Sequence, residues 1–73
     1  MQKLVKVTFK EHLPMEMVEG FLQSDFVGLG TVYRRDDQRV LYVRPKPECQ
    51  SLLIEQLSVW EREGMLSFVE ETR

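Results

Sequence analysis

The order of patterns in this 73-residue sequence predicts an α+β fold of the ferredoxin-like kind. That fold is a β-α-β-β-α-β sandwich whose four-stranded antiparallel sheet carries two helices on one face. Three observations predict it: alternating apolar and polar residues near both ends and around a charged turn in the middle, helical apolar stripes in the two intervals between, and prolines and glycines at the joints.

Each element has its own justification. Val5, Val7 and Phe9 alternate with Lys6, Thr8 and Lys10, the pattern of a strand with one buried face. Pro14 suits the first turn of a helix, where its missing N–H has no partner to lose, and Glu16 follows at the positive end of the helix dipole. Met15, Val18, Phe21 and Leu22 form this helix's inward stripe; Gly20 within it costs about 1 kcal/mol relative to alanine. Residues 24–30, with Gly28 and Gly30, read as a connection, and residues 31–34 and 39–44 as a hairpin closed around Asp36 and Asp37. Pro45 and Pro47 stop the hairpin, Pro47 or Glu48 opens the second helix, and Gly64 stands where a left-handed closing residue is wanted. Between them Cys49, Leu53, Leu57 and Trp60 follow the helical repeat, with Leu52, Ile54 and Val59 widening the stripe. Residues 65–69 resume as the last strand.

Size and composition bound the rest. Residues 1–73 form one domain, short enough that folding buries only about 60% of the unfolded surface. One cysteine, Cys49, cannot form an internal disulfide, and one histidine, His12, cannot complete a zinc set with it. Self-association is the remaining supplement to so small a core, and a homodimer is expected. A net charge of −2 gives no long-range attraction to nucleic acid or anionic lipid. Met1 and Gln2 lead straight into the first strand with no apolar stretch long enough for a signal peptide or a membrane span, so a cytoplasmic protein with no membrane partner is expected.

A hairpin closing symmetrically about Asp36 and Asp37 would set Val32 across from Leu41, Tyr33 from Val40 and Thr31 from Tyr42, and cross-strand partners share a face. The helix-facing side then holds Val5, Val7, Phe9, Val32, Leu41, Val43, Leu66 and Phe68. The opposite side shows Leu4, Lys6, Thr8, Tyr33, Val40, Tyr42, Arg44, Met65 and Val69, aromatic and aliphatic with cations around them. The acids Glu16, Glu19, Glu55, Glu61 and Glu63 fall on the helices. A contiguous apolar patch on a small protein marks a surface used for association.

This points to a non-enzymatic protein acting by protein–protein association, with Lys6, Tyr33, Val40, Tyr42, Arg44 and Val69 at a dimer or partner interface. The alternative is binding of RNA or another single-stranded nucleic acid on the same face through Lys6, Lys10, Arg34, Arg35, Arg39, Tyr42 and Arg44. The first strand, however, offers Lys6 and Thr8 where RNA recognition motifs place a stacking aromatic. Catalysis has little to draw on. His12 lies in a loop, Cys49 falls on an apolar stripe as a small buried hydrophobe, and Asp36 and Asp37 are turn residues, so no catalytic residue, metal ligand or cofactor is assigned.

The strand and helix order, with an ending that runs Glu63, Gly64, Met65, Leu66, Ser67, Phe68, Val69, resembles small ferredoxin-like modules. Among these are ACT-type regulatory domains, ligand-sensing domains attached to some transporters, and nitrate reductase maturation chaperones. The resemblance is one of architecture and implies a regulatory or assisting role. It transfers no residue: the connection from Lys10 through Glu11, His12 and Leu13 to Pro14 lacks the glycine of an amino-acid-binding ACT domain, and no cysteine pair matches a metal-carrying one.

Overall fold

A computed structural model describes residues 3–72 of the chain; Met1 and Gln2, expected to lead into the first strand, lie outside the described residues. The chain runs β1 (Lys3–Phe9), α1 (Met15–Gln23), a short helical segment (Asp25–Gly28), β2 (Gly30–Arg35), β3 (Val40–Pro45), a 3-10 turn (Pro47–Cys49), α2 (Gln50–Arg62) and β4 (Leu66–Thr72). The strands form one antiparallel sheet in the order β2-β3-β1-β4. Each strand–helix–strand unit is therefore split by a strand from the other unit, which is the ferredoxin-like arrangement.

Alternation in the sequence becomes two faces in the sheet. Val5 pairs with Val43, Val7 with Leu41 and Phe68, and Phe9 with Leu66, and this set packs under the helices. Leu13 ahead of α1, Val18 from α1, Phe26 after it, and Leu53 and Leu57 from α2 complete the buried core. Phe9, Phe21, Phe26 and Trp60 form an aromatic cluster, with Phe21 5.3 Å from Phe9 and 4.7 Å from Trp60 between ring centroids.

The joints behave as their residues dictate. Pro14 directly precedes α1, and Gly64, at φ 79°, takes the left-handed conformation that turns the chain from α2 into β4. Pro45 ends β3 and Pro47 opens a 3-10 turn that leads into α2, so this helix begins at Gln50, later than expected.

The connection after α1 is more ordered than its composition suggests. Asp25, Phe26, Val27 and Gly28 all have positive φ, 51°, 53°, 53° and 80°, so the segment is a single left-handed helical turn. Such a conformation costs about 1–2 kcal/mol for each residue with a side chain. It holds because it drives Phe26 fully into the aromatic cluster, and because the Ser24 hydroxyl accepts from the Val27 N–H at 3.3 Å and donates to the Phe21 carbonyl.

Several expectations are corrected. The hairpin does not close symmetrically: Thr31 pairs with Arg44, Val32 with Val43, Arg34 with Tyr42 and Arg35 with Leu41, with a bulge at Tyr33 between the two registers. The turn occupies residues 36–39, held by Asp36 and Asp37 N–H groups on the Val40 carbonyl. β4 extends to Thr72 rather than ending at Val69, and Met65 precedes it and packs against the core. Leu52 is 54% exposed because it lies on the outer side of α2, and Cys49 is half-buried at the helix start rather than enclosed.

Candidate functional site: the open face of the sheet

The sheet face turned away from the helices carries Leu4, Lys6 and Thr8 on β1, and cross-strand pairing fixes their companions. Lys6 lies between Tyr42 on β3 and Val69 on β4, and Thr8 between Val40 and Ser67. On the β2 side, Arg34 is across from Tyr42 and Thr31 across from Arg44. All six expected interface residues, Lys6, Tyr33, Val40, Tyr42, Arg44 and Val69, share this face.

The bulge at Tyr33 arranges the cations over the aromatics. The Arg34 guanidinium stands 4.5 Å from the Tyr42 ring centroid, and the Arg44 guanidinium 4.7 Å from that of Tyr33. Two cation–π pairs therefore cross the β2–β3 hairpin in opposite directions, each arginine from one strand resting on a tyrosine of the other. A bulge is the local device that does this, because the extra residue re-aims the side chains that follow it. Asp36 anchors Arg34 from the other side through a 2.8 Å hydrogen bond to Nε. That bond and the Asp36 charge, with a smaller contribution from Tyr42, raise the Arg34 pKa, so its charge is constant through any working pH.

Exposure differs sharply between the two tyrosines. Tyr33 is 52% exposed, whereas Tyr42, covered by Arg34, retains only 7%. Leu4 is also buried on this face. Tyr42 thus supports the surface from beneath, while Tyr33, Arg34, Arg44, the half-buried Lys6 and the exposed Val69 form what a partner would touch. Arg34 was absent from the expected protein interface; its position is a consequence of the bulge.

The expected nucleic-acid set is not brought together. Lys6, Arg34, Tyr42 and Arg44 share the face, but Arg35, paired with Leu41, is turned to the helix side, where it bonds Glu19 at 2.8 Å and the Gln38 carbonyl. Arg39 donates to the carbonyls of Lys10 and Leu13 at 2.8 and 2.7 Å, which fastens the β1–α1 connection to the hairpin. Lys10 itself lies beyond the end of β1. The two corrections have separate causes: the bulge on β2 reverses the side of Arg35, whereas Arg39, just before β3 and in phase with the helix-facing Leu41 and Val43, is held on that side by the unbroken β1–β3 pairing.

Most of the acids lie on the other layer, with Glu16 and Glu19 on α1, Glu55 and Glu61 on α2, and Glu63 at its end, whereas Glu71, across from Leu4, shares the open face. Exposed apolar groups occur there too, Met17, Val27 and Leu52, in shallow grooves beside α1 and α2 that sequence reasoning did not single out. His12 is exposed in the first loop, and among the described residues no group of three His, Cys, Asp or Glu side chains is placed to hold a metal ion. Among the described residues no helix is long and apolar enough to cross a membrane. No family model, curated protein or solved structure matches the chain.

Proposed function

We propose that this chain is a small non-enzymatic accessory or regulatory protein that works by binding a protein partner through the open face of its sheet. The observation that carries the reading is the crossed pair of arginine–tyrosine stacks, Arg34 on Tyr42 and Arg44 on Tyr33. Tyrosine and arginine are the residue types that most often dominate binding energy at interfaces. Their long side chains are here held in place before any partner arrives, which reduces the ordering cost of association. The fitting partner presents an apolar centre with a carboxylate beside it, complementary to Tyr33 and Val69 with Lys6 next to them.

Affinity capture from the cells that make the protein tests this, comparing wild type with Tyr33→Ser/Lys6→Glu and with Met17→Ser/Leu52→Ser. The sheet-face variant loses the captured partner and the helix-face variant keeps it. The opposite pattern moves the working surface to the helices. Salt-sensitive binding of single-stranded polyuridine that Tyr33→Ser abolishes would instead favour the nucleic-acid reading.

A further inference from the structure

The two edges of the sheet are unequal. On β2 the pairing is broken by the bulge at Tyr33, and the strand continues into Arg34 and Arg35, features that discourage addition of another strand. On β4 the register with β1 runs unbroken from Phe9↔Leu66 to Lys3↔Thr72, with no proline in the strand. Val69 on this strand is 60% exposed, more than any other large apolar side chain among the described residues.

The phase of the ladder decides which backbone groups of β4 are available. The Lys10 N–H donates to the Met65 carbonyl at 3.0 Å, so the pairs two, four and six residues farther along also face each other with hydrogen bonds. Ser67, Val69 and Glu71 therefore aim N–H and C=O at β1, while Leu66, Phe68 and Glu70 aim theirs outward. One contact confirms the phase independently: the Phe68 N–H donates away from the sheet, to the Glu61 carboxylate of α2, over a long 3.4 Å. Glu61 is an exposed side chain and a replaceable acceptor.

We infer that the outer edge of β4 pairs antiparallel with the same edge of a second copy of this chain, about a two-fold axis at Val69. In that register Val69 faces Val69 of the second copy as a non-hydrogen-bonded pair, the arrangement in which side chains approach most closely. Phe68 faces Glu70 of the second copy as a hydrogen-bonded pair, which uses the outward N–H and C=O groups on both strands. A register centred on Glu70 would set carboxylate against carboxylate, which is unfavourable. A second copy is the occupant because β4 is self-complementary about Val69, and because joining like edges closes the assembly at two chains whereas joining β4 to the bulged β2 would propagate. The result is a continuous eight-stranded sheet. The inference rests on the reading of the chain as an associating protein, and edge variants distinguish its failure from failure of the sheet face.

The test is register-specific crosslinking together with sedimentation. In a Cys49→Ser background, Val69→Cys treated with oxidised glutathione gives an interchain disulfide, two thiols being oxidised as the glutathione is reduced. Ser67→Cys does not, because its equivalents lie several residues apart across the axis, beyond the roughly 7 Å limit for a disulfide. Wild type sediments as a concentration-dependent dimer. Glu70→Pro, which removes an outward N–H and leaves the β1 ladder intact, and Val69→Lys each weaken it by about tenfold or more, with far-UV circular dichroism confirming the fold. Glu61→Ala, which frees the Phe68 N–H, strengthens it. A monomer at every concentration reached, equal crosslinking at residues 67 and 69, or a dimer dissolved by Tyr33→Ser and untouched by Glu70→Pro overturns the inference. So does protection of the Phe68 and Glu70 amides from exchange only when another protein is added, which would give the edge to a foreign strand.

Discussion

Replacing Arg39 by methionine separates a structural cation from a functional one. Its Nη1 donates at 2.8 Å to the carbonyl of Lys10 and at 2.7 Å to that of Leu13, whose side chain is part of the core. A hydrogen bond from a charged donor contributes about 1.5–3 kcal/mol. Lys10 is exposed, so its carbonyl recovers water and most of that contribution is retained, whereas the part-buried bond to Leu13 is lost outright. The net loss is about 2 kcal/mol, and in a chain of this size about 1 kcal/mol moves the melting temperature by 4–8 °C. Arg39→Met is therefore expected to melt about 8–16 °C below wild type in a circular dichroism scan at matched concentration. Partner capture at a temperature where both proteins are folded stays unchanged. A melting temperature within about 2 °C of wild type, or a loss of capture by the folded variant, would show that Arg39 belongs to the binding surface and that the hairpin is fastened elsewhere.

Other outcomes follow from packing. Gly20→Ala meets open space on the exposed side of α1 and raises stability by about 0.5–1 kcal/mol, while Gly30→Ala, whose new Cβ would lie 2.9 Å from the Arg44 carbonyl oxygen and from Val43 Cγ1, lowers it by about 1–3 kcal/mol; denaturant titration reads both. Phe26→Ala removes a fully buried ring that packs on Phe9 and Phe21 and costs about 3–5 kcal/mol. Val27→Asn, at the exposed neighbour in the same left-handed turn, leaves stability unchanged or raises it, since asparagine adopts that conformation more readily than a β-branched residue.

Some of this molecule could be read without coordinates, and the reasons are local. The alternation of Val5, Val7 and Phe9, the helix-opening Pro14 and the closing Gly64 each express a rule that one residue or one period imposes, and each holds in the fold. The face assignment of Lys6, Tyr33, Tyr42 and Val69 was legible for the same reason. The hairpin register was not, because the bulge at Tyr33 is a decision between two pairings of near-equal pattern, and it reversed the side on which Arg35 emerges. Nor was the burial of Tyr42, which depends on an arginine from the neighbouring strand. The left-handed turn left no trace in composition: its only glycine is its last residue, and what stabilises it is the distant packing of Phe26 on Phe9 and Phe21.

The open sheet face as the working surface is tested most directly by site-specific photocrosslinking in the cells that produce the protein. With p-benzoylphenylalanine at Tyr33 on the sheet and, in a parallel strain, at Leu52 on the outer side of α2, irradiation is expected to give a discrete heavier adduct from position 33 and none from position 52. An adduct from position 52 with none from position 33 would contradict the account.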